Sequence, residues 1–197
     1  MWYKDILDAN GHVIGTTMTS EYSEATEYLC GDPTPDIYGG FGTSIEFYGF
    51  DFSASFTYSI GGLSYDSGYA GFMGSPTSAN GGTNFHKDVF KAWSPSNKSS
   101  DIPRFQYLDQ YSASSSDRFL TDASYLNFQN AQLGYTLPER MTKKMFISRL
   151  RVYVACDNIV YWSRRQGFDP RFSFSGTTNS AVNSPVRTLS GGLNITF

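Results

Sequence analysis

Hydrophobic and polar residues alternate along this chain in long runs. In residues 50–60, Phe50, Phe52, Ala54, Phe56, Tyr58 and Ile60 share one parity, and Asp51, Ser53, Ser55, Thr57 and Ser59 share the other. Successive side chains of a strand point to opposite faces, so the run predicts a strand with one apolar and one wet face. Residues 37–47 repeat it, with Ile37, Phe41, Ile45 and Phe47 against Tyr38, Ser44 and Glu46. Only Tyr48 and Gly49 separate the two runs, which predicts a tight hairpin. At 146–160, Leu150, Val152, Val154 and Cys156 oppose Arg149, Arg151, Tyr153 and Asp157. At 187–197, Leu189, Gly191, Leu193, Ile195 and Phe197 oppose Thr188, Ser190, Gly192, Asn194 and Thr196. A fifth run, 124–137, slips phase once: Leu126 and Phe128 are even, while Ala131, Leu133, Tyr135 and Leu137 are odd. One extra residue near Asn130 predicts a β-bulge there, the alternative being two shorter strands.

These strands are ten or more residues long, against about 5–6 in an average strand. A tilted strand needs about 9–11 residues to cross a bilayer. The connections at 48–49, 61–121, 137–145 and 161–186 alternate between short and long, as in barrels with tight turns at one rim and elaborated loops at the other. The expected fold class is therefore all-β, an antiparallel transmembrane β-barrel segment with long external loops. Within the first long loop, Phe85, Val89 and Trp93 fall at helical spacing, with Asn84 as a candidate cap and Pro95 beyond the end, and predict a short amphipathic helix over 84–94. Stretches 74–83 and 112–117 read as irregular. Near the start, Trp2–Ile6 predicts a short strand and Asn10-Gly11 a turn.

Composition sharpens this picture. Of the 197 residues 17% are aromatic and only 17% charged, below the roughly 25% usual in soluble domains. The net charge of −3 offers no basic field for nucleic acid. Cys30 and Cys156 can form at most one bridge, which excludes a disulfide scaffold, and both are expected to be free. No apolar run approaches the roughly 18 residues of a membrane helix, which leaves strand crossings open. The first residues carry no charged-then-apolar leader, so nothing in them is expected to direct the chain out of a cytoplasm.

Catalysis finds no support. His12 and His86 are the two histidines and neither stands in a metal-ligating spacing. Asp32 and Asp36 flank two prolines and suit a rigid entry turn. Asp66, Asp88, Asp101 and Asp109 are scattered without a calcium-loop pattern. No enzyme, cofactor or metal is expected.

The wording of these segments resembles the C-terminal barrel of SusC/RagA-type TonB-dependent outer-membrane transporters. Residues 31–60, GDPTPDIYGGFGTSIEFYGFDFSASFTYSI, carry the resemblance first. Ile102-Pro103-Arg104, SDRFLTDASYLNFQNAQLGYTLP at 116–138, RVYVACDNIVYWS at 151–163, Gly167-Phe168-Asp169-Pro170 and GGLNITF at 191–197 follow in order. It implies about the last five strands of a 22-stranded barrel in the cell outer membrane, without the plug domain or TonB box, and so not transport-competent alone. It implies import of glycans or peptides with a SusD-like surface lipoprotein, the TonB complex, outer-membrane lipids and the barrel-assembly machinery as partners. The short connections would be periplasmic and the long ones external.

Several residues are then candidates for contact. Arg149, Arg151, Tyr153 and Asp157 would face the lumen, either touching plug or cargo or pairing between strands to hold the wall. Trp93, Tyr107, Tyr111, Trp162, Arg164 and Arg165 would lie in external loops, their rings suited to sugar faces and their guanidiniums to carboxylates, or else packed within the loops. Phe197 would carry the barrel-assembly signal or belong to an aromatic girdle. The competing class is a soluble β-sandwich carbohydrate-binding module. In a sandwich the apolar faces would cover one another, and in a barrel wall they would stay open.

Overall fold

A computed structural model of the chain describes residues 2–76, 84–109, 111–112, 114–165, 167–172 and 185–197. They divide into two compact units, one of residues 1–31 and 69–117 and one of residues 32–68 and 118–197.

The second unit is dominated by a five-stranded antiparallel sheet. Its strands are β3 (Ile37–Phe47), β4 (Phe50–Ile60), β7 (Tyr125–Thr136), β8 (Arg149–Ser163) and β9 (Thr188–Thr196), side by side in that order. A two-stranded ribbon, β5 (Leu63–Tyr65) with β6 (Leu120–Asp122), lies in the long connection. Register follows the alternation read from the sequence. Phe41 faces Phe56, Ile45 faces Phe52, and Phe52 faces Leu133, which faces Val154. Each apolar parity therefore lands on the same side of the sheet. Tyr48 (φ 47°) and Gly49 (φ 86°) close the β3–β4 hairpin with two left-handed residues, the pairing that matches strand twist. A Cβ on Gly49 would also meet the Thr136 carbonyl oxygen at 2.8 Å, so the first residue of this turn can carry a side chain and the second cannot. The phase slip in β7 is a register shift against β4, where Asn130 faces Ser55 and Phe128 faces Phe56, with Gln129 as the extra residue in one continuous strand.

The apolar side of this sheet is open. Leu133, Val154 and Leu193 are 53%, 52% and 62% exposed, and Phe41, Ile45 and Leu189 are exposed with them. A sandwich would bury these side chains against a second sheet, so the sandwich alternative does not describe this chain. Stacked rings run along the face instead: Phe41 on Phe56 at 4.9 Å and Phe56 on Phe128 at 4.4 Å. The tightly buried side chains of this unit lie off the open face, with Phe119, Phe168 and Ser64 on the side of the long connections and Thr142 in the connection after β7.

In the first unit, β1 (Trp2–Leu7) pairs with β2 (Val13–Thr19). The turn between them is closed by Asp8, whose carboxylate accepts from the N–H groups of Asn10 and His12 at 2.8 and 2.9 Å. The sequence predicts the first strand and the turn but not β2, whose VIGTTMT run has no consistent apolar parity.

Two expectations need correction. The long connection does hold a short α-helix, but it is α1 (Ser67–Phe72), and the stretch expected to be helical is a single 3-10 turn over Lys87–Lys91. His86, not Asn84, caps it, its Nδ1 accepting from the Asp88 N–H at 3.2 Å. An α-helix cannot continue because Trp93 donates its N–H to the Ile102 carbonyl at 2.8 Å rather than to the preceding turn. The 137–145 connection is likewise not bare, holding α2 (Glu139–Thr142) and a 3-10 turn. Of the stretches read as irregular, residues 77–83 and 113 lie outside the described ones.

Candidate functional site: the polar face of the sheet

Alternation sends Asp51, Gln132, Arg151 and Tyr153 to the side opposite the open apolar face. Asp51 on β4 and Arg151 on β8 are not on neighbouring strands, since β7 runs between them. They meet because the residue facing Asp51 on β7 is Gly134. A Cβ there would collide with both Asp51 Oδ1 and the Arg151 guanidinium. With no side chain in the way, Arg151 Nε donates to Asp51 Oδ1 at 2.8 Å and a terminal nitrogen closes a second bond to Oδ2. The Gln132 amide, oriented by its hydrogen bonds, accepts from the same guanidinium at 2.6 Å. The arginine thus staples three strands through a forked, charge-assisted contact that a point charge could not make.

Further along the face, Asn130 donates to Asp157 at 2.6 Å. Tyr153 lies over Gly192 of β9, where a Cβ would be 2.6 Å from the phenol oxygen, and the Arg151 guanidinium sits 5.2 Å from the Tyr153 ring. Arg149 faces Thr196 and is exposed. The expected lumen residues therefore do share one face. Arg151, Tyr153 and Asp157 are engaged between strands, while Arg149 stands open.

The end of this face nearest the long connections carries a second cluster. Asn127, buried, donates to Thr57 at 3.3 Å and accepts from Arg171 at 2.9 Å. Arg171 also binds Asp169 and lies 4.6 Å from the Tyr161 ring, and the Asp169 carboxylate raises its pKa further. Arg165 pairs with Asp66.

The external-loop candidates separate on inspection. Trp93 and Tyr107 are exposed at 37% and 58%, and Tyr111 stacks on Tyr22 at 5.7 Å. Arg164 is exposed near Asp122, whose carboxyl is held below its usual range chiefly by Ser124 and secondarily by Arg164. Arg165 is committed to Asp66 rather than offered outward. Trp162 is not a loop residue, because β8 runs three residues past its expected end and pairs Trp162 with Leu126 on the apolar face. Phe197 follows β9 and is exposed. Sequence reading missed Asp51, Gly134, Gln132 and the Asn127–Arg171–Asp169 cluster. All depend on register across β7, which no local pattern encodes.

Among the described residues no group of three or more His, Cys, Asp or Glu could hold a metal ion, and Cys30 and Cys156 are free. No helix among them is long and apolar enough to cross a membrane.

Comparison with known proteins agrees with this geometry. The chain is 31% identical to TonB-dependent receptor P3 of Formosa agariphila over 97% of its own length and 18% of that protein's. TonB-dependent receptor P26 of the same organism is 26% identical over 86% of the chain. Among solved structures, the RagAB peptide importer in its open-open state superposes with a TM-score of 0.70 at 26% identity, covering 93% of this chain and 19% of that one. The closed-closed state gives the same score and identity over 98% of this chain and 20% of that one. No protein-family model matches. The chain spans about a fifth of the length of these relatives.

Proposed function

The chain belongs with the TonB-dependent receptors, and from that kinship we propose that it forms part of the barrel wall of an outer-membrane, TonB-dependent nutrient importer. The open apolar face meets lipid, and the stapled polar face lines the lumen. The connections at 48–49 and 137–148 are periplasmic, and those at 61–124 and 164–187 are external. The cargo is a peptide or a glycan. Peptides come first, because the similar RagAB structures are those of a peptide importer. A SusD-like surface lipoprotein caps the external side, the TonB complex supplies the energy, and Phe197 is the residue read by the barrel-assembly machinery. Of Arg149, Arg151, Tyr153 and Asp157, it is Arg149, exposed on the polar face, that is left to meet the plug or cargo. Trp93, Tyr107 and Arg164 are those left to meet cargo or partner outside.

The observation that carries the reading is the contrast between faces. Side chains that water would drive together stay exposed on one side of a five-stranded sheet, while polar ones on the other are cross-linked. A spin-label scan tests it, in outer membranes of cells producing the full protein that contains this segment. Labels at 52, 133 and 154 should relax with lipid-dissolved oxygen, and labels at 53, 132 and 153 with a water-soluble nickel reagent. Protection of 52, 133 and 154 from both reagents would mean a buried core and overturn the proposal.

A further inference from the structure

The two short connections lie at one rim of the sheet, where Thr136 donates its N–H to the Gly49 carbonyl at 2.7 Å, and they differ in charge. The Tyr48-Gly49 turn has none. Residues 137–148 carry Arg140, Lys143 and Lys144 against a single acid, Glu139, in a chain whose net charge is −3. This longer connection is firmly built. Leu137 donates its N–H to the Leu150 carbonyl at 2.9 Å, Ile147 to that of Thr142 at 3.3 Å, and Ser148 to that of Thr196 at 2.8 Å. Thr142 and Ile147 are buried. The side chains this frame leaves outside are of two kinds. Met141 and Phe146 are exposed, Phe146 at 91%, and so are Arg140, Lys143 and Lys144. Among the described residues neither Arg140 nor Lys144 has an acidic partner. Lys143 meets Glu139 at 2.7 Å, but both side chains are 70% or more exposed, so water and salt weaken the pair.

Phe146 narrows the choice of occupant. Its φ of 59° lies in the left-handed region, where a bulky side chain is uncommon and glycine would sit without strain. The fold itself buries almost none of the ring. An apolar ring held out beside three cations matches the boundary between acyl chains and headgroups, where apolar groups sink in and cations meet phosphate. The connection also continues the open apolar face. Leu137 follows Leu133 and Tyr135 in parity, Leu150 precedes Val152 and Val154, and Phe50 packs on Tyr135 at 4.5 Å. We propose that Arg140, Met141, Lys143, Lys144 and Phe146 form a docking surface for anionic phospholipid. The three cations take the phosphates, and Met141 and Phe146 sink among the acyl chains. This rests on the barrel-wall reading given above, which sets the rim at the periplasmic leaflet.

The test uses the full protein that contains this segment, freed of other accessible thiols, in phosphatidylcholine vesicles. A fluorophore is attached at Ser148→Cys, Tyr48→Cys or Leu133→Cys. Its quenching is compared for equal small shares of phosphatidylglycerol and phosphatidylcholine carrying a nitroxide on the acyl chain. At 148 phosphatidylglycerol should be enriched about fivefold or more over phosphatidylcholine, and at 48 hardly at all. Replacing Arg140, Lys143 and Lys144 together by Gln should remove the enrichment. If that variant fails to assemble, Lys144→Gln alone should lower it by about half. Phe146→Gly, which suits the left-handed backbone, should assemble normally and weaken quenching at 148 by both lipids. Equal quenching by the two lipids at 148, the same enrichment at 48, or values that the substitutions leave unmoved would overturn the proposal. Removal of the enrichment by inorganic phosphate at matched ionic strength would also overturn it, by showing a site for a free anion. So would a label at 148 that neither lipid quenches while the label at 133 is quenched, since the connection would then lie against another part of the protein. If the label at 133 is quenched by neither lipid, the barrel-wall reading itself falls, and the proposal with it.

Discussion

The five-stranded sheet and the unit of residues 1–31 and 69–117 both expose many apolar side chains, yet they are held together in different ways. In the sheet, exposure is ordered. It recurs at every second residue and continues from strand to strand, through Phe52, Leu133 and Val154. In the hairpin unit, Tyr3, Val13, Ile14 and Met18 are equally exposed but fall on both faces of β1 and β2, and no stripe results. Cohesion differs as well. The sheet's polar face is cross-linked between residues a hundred apart in sequence, as Asp51 and Arg151 are. The other unit is joined instead through its loops and termini, with Tyr28 donating to Asp117 at 2.7 Å, Tyr22 stacked on Tyr111 at 5.7 Å and Lys4 paired with Glu24 at 3.3 Å. Exposure of apolar side chains does not by itself mark a lipid face. Exposure that keeps a period of two across several registered strands does.

The largest effect should come from placing a charge on the ordered face. Leu133→Arg is expected to cost about 2–4 kcal/mol in the membrane, the toll of a cation on a lipid-facing barrel position near mid-depth. Ser53→Arg, one residue off the facing position and on the polar side, should stay within about 0.5 kcal/mol. Urea titration of the protein in vesicles reads both, and equal costs would erase the distinction between faces. Next comes Gly134→Ala, whose methyl group enters the contact between Asp51 and Arg151. Overpacking should cost about 1–3 kcal/mol, and the loss should shrink in an Asp51→Ala background, where the ion pair is already gone.

The smallest effect belongs to the hairpin unit and depends on pH. Asp88 is held below the usual carboxylate range, chiefly by Lys91, with Tyr69 and His86 assisting. Its folded-state pKa is depressed, so its contribution to the 87–91 turn is complete above the unfolded value near pH 4 and is lost as pH falls through the lower folded value. Exchange protection of the 87–92 amides, corrected for intrinsic rate, should hold from neutral pH to about 4 and decline below it. In Asp88→Asn the decline should vanish.

Legibility in the sequence follows the same division. The parity of β4, β8 and β9 was plain because one face is apolar throughout, and the slip in β7 announced its bulge. Strand β2 was invisible because its partner contacts are backbone bonds that any side chain permits. The 84–94 spacing misled because Trp93 spends its N–H on Ile102, a contact no local pattern foretells. At the candidate site, Arg151 and Asp157 could be assigned to a face by counting. That Arg151 reaches Asp51 across Gly134 required the register of β4 on β7, set through the long stretch 61–124. Trp162 was misplaced by three residues of extra strand.

The Tyr48-Gly49 turn also bears on the order of assembly. Closing two residues forfeits almost no chain entropy, so β3 can zip onto β4 as soon as both are made. Pairing β4 with β7 must first loop out residues 61–124, a far slower encounter. The hairpin is thus in place before β7 joins it, and of these two pairings the one across 61–124 sets the pace.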